Sequence, residues 1–238
     1  MKYLDLSWPE PAENLACDEA FLLEAEDGGG DEVLRVWEPR ETFVVVGHGS
    51  RVEREVALAA CRGAGVRVLR RPSGGAAVVQ APGCLNYALI LRIGPHGLTD
   101  VAATNCYVMK RVKNALEPLV GAPIAIDGFT DLTVGGRKFS GNAQYRKKRA
   151  LLFHGSLLLD CDIATIQKLL LDPPRQPAYR RRRPHEEFLM NLQLPAAAVK
   201  AALREAWGAV KHLDDVPHDQ IATVAERRYT RDEWTFRL

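Results

Sequence analysis

The chain has 238 residues, of which 47% are hydrophobic, so it is long enough to form one or two domains with a packed core. Its net charge is only +2, from 32 basic and 30 acidic residues. This balance gives no global electrostatic reason to expect nucleic acid or membrane as a partner. Five scattered cysteines without a C-x-x-C pair, and no apolar run long enough for a signal or a membrane span, predict a cytoplasmic protein without a disulfide scaffold.

The first half of the chain alternates short strands with helices. In chain order we predict a strand at 3–8, a helix from Pro11 to about Glu26, strands at 33–37 and 42–46, a helix at about 52–62 and a strand at 66–71. Pro11 suits the first turn of a helix, and the glycines at 28–30 end it. The run at 66–71 alternates apolar and basic residues, as a half-buried strand does.

The second half begins with a Pro-Ser-Gly-Gly loop and ends in helices. We predict strands at 76–80, 85–93, 124–126, 132–134 and 151–159, and helices at about 101–118, 163–171, 186–192, 196–211 and 217–228. Residues 172–185, rich in proline and arginine, are predicted to form a long surface loop. Hairpins mixed with helices, without regular βαβ alternation, predict an α+β fold of mixed, largely antiparallel sheets flanked by helices, in a single domain over 1–238.

The first segment that carries chemistry is Arg70–Val79, R-R-P-S-G-G-A-A-V-V. Glycines let a backbone pass close to a ligand and let successive N–H groups converge on an anion. Arg71 can donate a planar fork to a carboxylate or phosphate. A plain hairpin loop with exposed arginines explains the same composition equally well, and the usual Walker A and Rossmann glycine patterns are absent.

Two further segments carry candidate residues. Lys138 follows a predicted hairpin turn at Gly135-Gly136 and precedes a predicted Ser-Gly-Asn turn. An ammonium group there can stabilise phosphate charge, although most lysines are simply exposed. Asp131 can hold Mg²⁺ or cap a turn. His154-Gly155 interrupts an apolar strand, where a core histidine is the ordinary interpretation and close approach of a ligand is the alternative.

In their order and spacing these segments resemble the lipoate–protein ligase A family of the biotin/lipoate ligase superfamily. The family pattern reads R-R-x-S-G-G-G-A-V, then G-R-N-D-L with G-R-K-x-S-G-x-A, then H-H-G-T-L-L. The matching residues are Arg70–Val78, Gly128–Leu132 with Arg137–Ala143, and Phe153–Leu158, while Asn14-Leu15-Ala16 and Glu233–Phe236 are similar to the first helix and to the end of the family's catalytic domain. The resemblance thus covers nearly the whole chain and implies the catalytic-domain fold of that superfamily.

The resemblance implies a ligase that converts lipoate, or octanoate, and ATP into an acyl-adenylate, with Mg²⁺, and passes the acyl group to a lysine. The acceptor would be an apo lipoyl domain, as in the E2 subunits of 2-oxoacid dehydrogenases or the H-type protein of glycine cleavage. Lys138 would be the catalytic residue and Asp131 the metal ligand. The implied ligand-binding residues are Arg70, Arg71, Ser73, Gly74, Gly75, Ala76, Ala77, Val78, Val79, Asp131, Lys138, Ser140, Gly141, Asn142, Ala143, His154 and Gly155.

The chain departs from the family pattern in three places. Ala76 replaces the third glycine of the loop, and Phe129-Thr130 replace the R-N of G-R-N-D. The chain ends at Leu238, shortly after E-W-T-F, where many bacterial ligases continue into an accessory domain. A separate accessory protein for adenylation, or no adenylation at all, are therefore alternatives.

Three rival functions remain. The nearest is an octanoyl or lipoyl transferase, which needs an activated cysteine. The stretch where related transferases carry it, 121–129, has none here, and we interpret Cys84 as a small apolar filler. A biotin ligase is disfavoured because its G-R-G-R-x-G-R loop is absent. The third is a non-catalytic RNA-binding module using Arg180–Arg183. We interpret that run as a solvated loop rather than a nucleic-acid site, with docking of a lipoyl domain or closure over the adenylate as further uses.

Overall fold

The protein is described by a computed structural model covering all residues, 1–238. Eleven strands form an eight-stranded sheet in the order β11-β1-β2-β6-β10-β9-β8-β7 and a three-stranded sheet in the order β4-β3-β5. The strands are β1 (Lys2–Asp5), β2 (Val33–Trp37), β3 (Phe43–Val46), β4 (Arg67–Arg70), β5 (Val78–Gln80), β6 (Cys84–Arg92), β7 (Ala125–Asp127), β8 (Asp131–Val134), β9 (Arg137–Arg146), β10 (Ala150–Leu158) and β11 (Lys211–His212). Pairing is mostly antiparallel, and parallel where β1 meets β2 and β11 and where β3 meets β4. The predicted α+β class is confirmed.

Nine α-helices flank the sheets. They are α1 (Pro11–Glu26), α2 (Val52–Glu55), α3 (Leu58–Gly63), α4 (Val101–Val120), α5 (Ile163–Leu169), α6 (His185–Phe188), α7 (Ala196–Ala206), α8 (His218–Val224) and α9 (Asp232–Thr235). Asp100 caps α4 by accepting a hydrogen bond from the Ala103 N–H, as its position before the helix predicts. No helix has the length and apolar character of a membrane span.

The large sheet is covered on both faces. One face packs against α4 and α7 through residues such as Val108 and Leu203. The opposite face packs against α1 and α8 through residues such as Phe21 and Ile221. The central strand β6 is therefore buried over Cys84–Leu91, and its largely apolar sequence reflects burial on both sides.

The predicted elements exist, but several boundaries were wrong. The helix predicted at 52–62 is two helices, because Val56 is extended and pairs with Leu170. The predicted Ser-Gly-Asn turn after Lys138 is part of the ten-residue strand β9. The predicted helix at 217–228 ends at Val224 and continues as a π-helical turn over Ala225–Tyr229. In each case pairing or packing with a distant segment overrides local composition.

Candidate functional site

Two cavities meet at Lys138, in the angle between the small sheet and strands β9 and β10. We call them the inner cavity, about 170 Å³, and the outer cavity, about 140 Å³. Seven residues line both: Ala76, Ala77, Val78, Asp131, Lys138, Gly141 and Ser156. The lysine therefore stands on a wall shared by two spaces.

Most of the ligand-binding residues predicted from the sequence come together here. Besides the shared ones, the inner cavity is lined by Arg71, Gly75, Asn142, Ala143, His154 and Gly155, and the outer cavity by Val79 and Ser140. Three predicted residues, Arg70, Ser73 and Gly74, line neither cavity. Segments far apart in sequence thus converge on one site.

Lys138 is held in place by an acidic partner. Its Nζ lies 2.8 Å from Asp131 Oδ1, and both side chains are mostly buried. The other carboxylate oxygen, Asp131 Oδ2, accepts a 2.6 Å hydrogen bond from the Tyr179 hydroxyl. Burial and the nearby Asp131 charge raise the pKa of Tyr179, so the phenol stays protonated and acts as a donor. Asp131 therefore does not cap a turn, which was one of the two uses predicted from the sequence.

The glycine loop is organised from within by Arg71. Its guanidinium donates to the carbonyl oxygens of Val45, Gly74 and Ala76 and to Ser73 Oγ. Burial lowers the pKa of Arg71 to about 10, which leaves it charged at neutral pH. Most of its N–H donors are therefore used in hydrogen bonds that shape the loop and are not free to bind a ligand.

Arg70 has a different role from the one expected. It is fully buried, and its guanidinium donates to the carbonyls of Gly47, His48, Ser50, Trp234 and Thr235. Arg71 directly follows β4, where its N–H still bonds to the Val46 carbonyl, and successive side chains of an extended backbone point to opposite faces, so Arg71 lines the inner cavity while Arg70 faces away from it. Arg70 stabilises the loop from the side opposite the cavity, and it is not placed to bind a ligand there.

Two glycines, one on β9 and one on β10, leave room for polar side chains of the site. A Cβ on Gly155 would lie 1.7 Å from Asn142 Oδ1 and 2.8 Å from Tyr87 Cε1. A Cβ on Gly141 would lie 2.8 Å from Lys138 Nζ. Gly155 therefore admits the Asn142 amide, and Gly141 leaves room for the lysine amine.

His154 lies between the glycine loop and the inner cavity. Its Nε2 is 2.6 Å from Ser73 Oγ. Burial and the neighbouring Arg71 lower the pKa of His154 to about 3, so the ring is neutral at physiological pH. The histidine thus joins β10 to the glycine loop and does not contribute a positive charge.

Sequence patterns missed several polar residues of the site. Gln80, Asn86 and Ser156 form a closed ring of hydrogen bonds of 2.5–2.8 Å on the inner-cavity wall. Glu55 lines the outer cavity, and its carboxylate accepts a 2.6 Å bond from the Ala77 N–H. Asn86 was detectable as a polar residue inside the apolar run of β6; Glu55 gave no comparable signal.

The arginine-rich segment is not the freely solvated loop that we expected. Arg180 is buried, its guanidinium lies over the Phe188 ring, and it pairs with Asp172. Arg183 donates to the carbonyl of Gly136, in the hairpin turn before Lys138. The segment therefore packs across the Lys138 hairpin and places Tyr179 against Asp131, while the exposed positions are Arg181 and Arg182.

All five cysteines lie outside both cavities. Cys84 and Cys161 are buried neighbours, with their Sγ atoms 3.0 Å apart, in the apolar cluster between the small sheet and α5. Cys106 is the exposed one, on α4. The interpretation of Cys84 as a core residue agrees with this placement.

No group of three or more metal-binding side chains is present in the structure. Asp131 is the one carboxylate shared by both cavities. A single carboxylate suits Mg²⁺ only where substrate phosphates complete the coordination shell. The donor set therefore fits a metal that arrives with a nucleotide, and it does not fit a permanently bound ion.

Comparison with known proteins places this site in a family. A probable lipoate-protein ligase A of Mycoplasma pneumoniae is 29% identical, over 99% of this chain and 72% of that protein. An octanoyltransferase LipM of Halalkalibacterium halodurans is 26% identical, over 99% of this chain and 98% of that protein. A solved lipoate-protein ligase A bound with ATP shares the fold, with a TM-score of 0.82 and 22% identity over 99% of this chain and 98% of that one.

A second solved structure shows the same fold. It is a putative lipoate protein ligase of Thermoplasma acidophilum with bound lipoic acid, with a TM-score of 0.80 and 22% identity, over 99% of this chain and 98% of that one. Fold and relatives together define a lipoyl- or octanoyl-transferring enzyme. The model of the lipoyl protein ligase A/B catalytic domain matches residues 10–203, and the chain belongs to that family.

Proposed function

We propose that residues 1–238 form one catalytic unit, a lipoate–protein ligase that activates lipoate or octanoate with ATP and transfers the acyl group to a lysine of a lipoyl domain. The observation that carries this proposal is the position of Lys138 on the wall between two cavities. A two-substrate condensation needs a site where each reactant has its own space and their reacting atoms meet. A cation at the meeting point stabilises the charge that develops there.

The linings of the cavities suggest which reactant each one holds. The inner cavity includes Leu15, Trp37 and Val45, which suit a hydrocarbon chain. Burying about six methylenes contributes roughly 5 kcal/mol, whereas micromolar binding needs about 8 kcal/mol, so contacts with the carboxylate must add the rest. Lys138 and the loop N–H groups supply them. The outer cavity includes Arg175, a cation that suits the phosphates of a nucleotide.

The proposed reaction has two steps, adenylation of the acyl carboxylate and transfer of the acyl group. The acyl carboxylate oxygen attacks the α-phosphorus of ATP, forming the mixed anhydride and releasing pyrophosphate. The acceptor amine next attacks the acyl carbon, losing a proton and releasing AMP as an amide forms. Lys138, held by Asp131, would stabilise the oxygens that gain charge in both steps. Holding the amine against the anhydride supplies much of the remaining acceleration.

Mg²⁺ would enter this scheme with ATP. It would neutralise phosphate charge, and Asp131 would hold it together with phosphate oxygens. In this role Asp131 would bind the metal ion and also keep its ion pair with Lys138. Its two oxygens each have a further acceptor position in addition to the lysine and Tyr179 contacts.

The transferase alternative is kept because several similar proteins are octanoyltransferases. Such a reaction needs a thiolate at the acyl carbon. The placement of all five cysteines outside both cavities favours the ligase. Free thiols are also typical of proteins in the reducing cytoplasm, which is the compartment that we propose.

The proposed acceptor is a lipoyl domain of the E2 or H type. Support comes from a solved bipartite lipoate protein ligase of Thermoplasma acidophilum, described together with its E2 lipoyl domain, whose fold this chain shares with a TM-score of 0.78 and 21% identity. That relative works in two parts, so a separate accessory protein for the adenylation step stays within the proposal.

One assay separates the ligase from the transferase. The protein is incubated with ATP, Mg²⁺, lipoate and an apo lipoyl domain, and the domain is weighed by mass spectrometry. We expect a mass gain that persists after the thiols are alkylated. The ligase proposal is contradicted if the domain gains mass only when an octanoylated carrier protein replaces ATP and lipoate, and if alkylation of the thiols abolishes that gain.

A variant test addresses the lysine itself. Lys138→Ala should keep the fold, by circular dichroism, and lose both acyl-adenylate formation and transfer. Lys148→Ala is a matched control, because Lys148 is an exposed lysine in the β9–β10 turn. Near-normal activity of Lys138→Ala would remove the lysine from its proposed role.

A further inference from the structure

Phe129 is the most exposed large hydrophobic residue of the chain, with 90% of its surface open to solvent. It lies in the turn between β7 and β8, where Gly128 has a φ of +59°. It lines neither the inner nor the outer cavity. Its exposure therefore has no explanation in the core or in the two cavities.

The turn that carries Phe129 is held rigidly. Thr130 donates its hydroxyl to the Asn142 carbonyl at 2.7 Å, and the Asn142 amide donates to the Thr130 carbonyl at 2.6 Å. Asp131 follows directly and pairs with Lys138. The aromatic ring is thus presented from a fixed backbone, two residues from the partner of the catalytic lysine, and binding would order little additional chain.

The surface beside the ring is basic and partly apolar. A shallow groove between α4 and β7 is lined by Met109, Lys110, Lys113, Ile126 and Phe129. None of the residues that line it is acidic, although Lys113 has Glu117 at 3.5 Å on the next helical turn. Aromatic residues at the centre of a patch with charged residues at its rim are typical of protein–protein interfaces.

We propose that this surface, the Phe129 face, docks the acceptor protein, and that the matching region of the acceptor combines an apolar contact with carboxylates near its target lysine. The inference rests on the proposed function. An acceptor amine must reach the acyl carbon beside Lys138, and a folded domain around that amine must cover neighbouring surface. The Phe129 face adjoins the Asp131–Lys138 pair and has the opposite charge to carboxylates.

Binding is measured first, without catalysis, by titrating the full chain with an apo lipoyl domain of a 2-oxoacid dehydrogenase E2 subunit in a calorimeter. We expect Phe129→Ala to raise the Kd about tenfold or more, as expected for an aromatic anchor. Phe129→Leu should retain much of the affinity. Val210→Ala is the matched control, because Val210 is also highly exposed, 72%, but precedes β11 at the opposite edge of the large sheet.

Charge is tested separately. The double variant Lys110→Glu/Lys113→Glu should weaken binding and invert its dependence on salt, so that added salt tightens binding, because the Coulomb contribution of the groove is reversed. An unchanged Kd in Phe129→Ala together with an unchanged salt dependence in the charge variant overturns the proposal. Sedimentation of the free protein tests a further alternative. If Phe129→Ala changes the oligomeric size of the free protein, the face binds a second copy of this chain, and the docking proposal is overturned as well.

A small nucleophile distinguishes failure of this inference from failure of the proposed function. Hydroxylamine traps an activated acyl group as the hydroxamate and needs no docking. Phe129→Ala should form hydroxamate at the normal rate from ATP and lipoate, while its KM for the lipoyl domain rises. If the unaltered protein forms no hydroxamate, the proposed activation fails, and the calorimetric result still decides the docking face.

Discussion

Replacing Gly155 by alanine tests whether the close contact between Gly155 and the Asn142 amide is required. The added Cβ would lie 1.7 Å from Asn142 Oδ1, so the amide must move. Moving it breaks a 2.5 Å bond from the Tyr87 hydroxyl and the bond to the Thr130 carbonyl. Each bond contributes about 1 kcal/mol, a stranded buried hydroxyl costs about 1–3 kcal/mol, and overpacking costs about 1–3 kcal/mol. Together these costs predict a loss of roughly 4–8 kcal/mol.

Urea and thermal unfolding followed by circular dichroism measure this loss. For a chain of this size, roughly 4–8 kcal/mol corresponds to a fall in Tm of about 8–32 °C. Gly63→Ala is a matched control, because nothing lies within 4 Å of the corresponding Cβ in helix α3, and it should be neutral or slightly stabilising. The double variant Gly155→Ala/Asn142→Ala should cost less than the two single variants together, since both changes act on the Asn142 contact, although the Tyr87 ring still lies 2.8 Å from the added Cβ. An unchanged Tm in Gly155→Ala would refute the reasoning.

Three further predictions concern residues around the site. Tyr179→Phe removes the hydroxyl bound to Asp131 while keeping the ring, so kcat for acyl transfer should fall about tenfold, or about 1.4 kcal/mol, with an unchanged Tm; an unchanged kcat argues against a positioning role. Burial lowers the pKa of His154 to about 3 and of His185 to about 4. Their unfolded forms bind protons first, so unfolding free energy should fall as pH drops from about 6.5 to about 4, by up to about 1.4 kcal/mol per unit for each histidine; urea titrations check this, and His154→Gln should reduce the slope. Arg70→Met leaves several buried carbonyls without a donor and should cost more than about 3 kcal/mol, seen as a lower urea midpoint; a loss below about 1 kcal/mol contradicts the bracing role.

The sequence predicted the fold class and the segments that meet at the site. Glycines and strand periodicity located the loop after Arg71 and the turn at Gly135-Gly136, where both residues have positive φ. These features depend on local backbone conformation, which composition reveals. The family resemblance then put them in one catalytic region.

Other features depend on which segment lies opposite, and local patterns do not contain that information. Ser140–Asn142 looks like a turn, yet β10 pairs with it and keeps it extended. Arg70 and Arg71 look equivalent, yet the strand sends their side chains in opposite directions. Tyr179 looks like part of a polar loop, yet it reaches Asp131, 48 residues away.

The bonds that Arg70 makes also set an order of events during synthesis. Its guanidinium binds the carbonyls of Trp234 and Thr235, 164 and 165 residues later in the chain, and the Trp234 indole donates back to the Arg70 carbonyl. A chain emerging from the ribosome contains the glycine loop long before these partners exist. The loop's supporting strand can complete its set of native hydrogen bonds only after α9 has been translated. The candidate site therefore acquires its full set of supporting contacts late in synthesis.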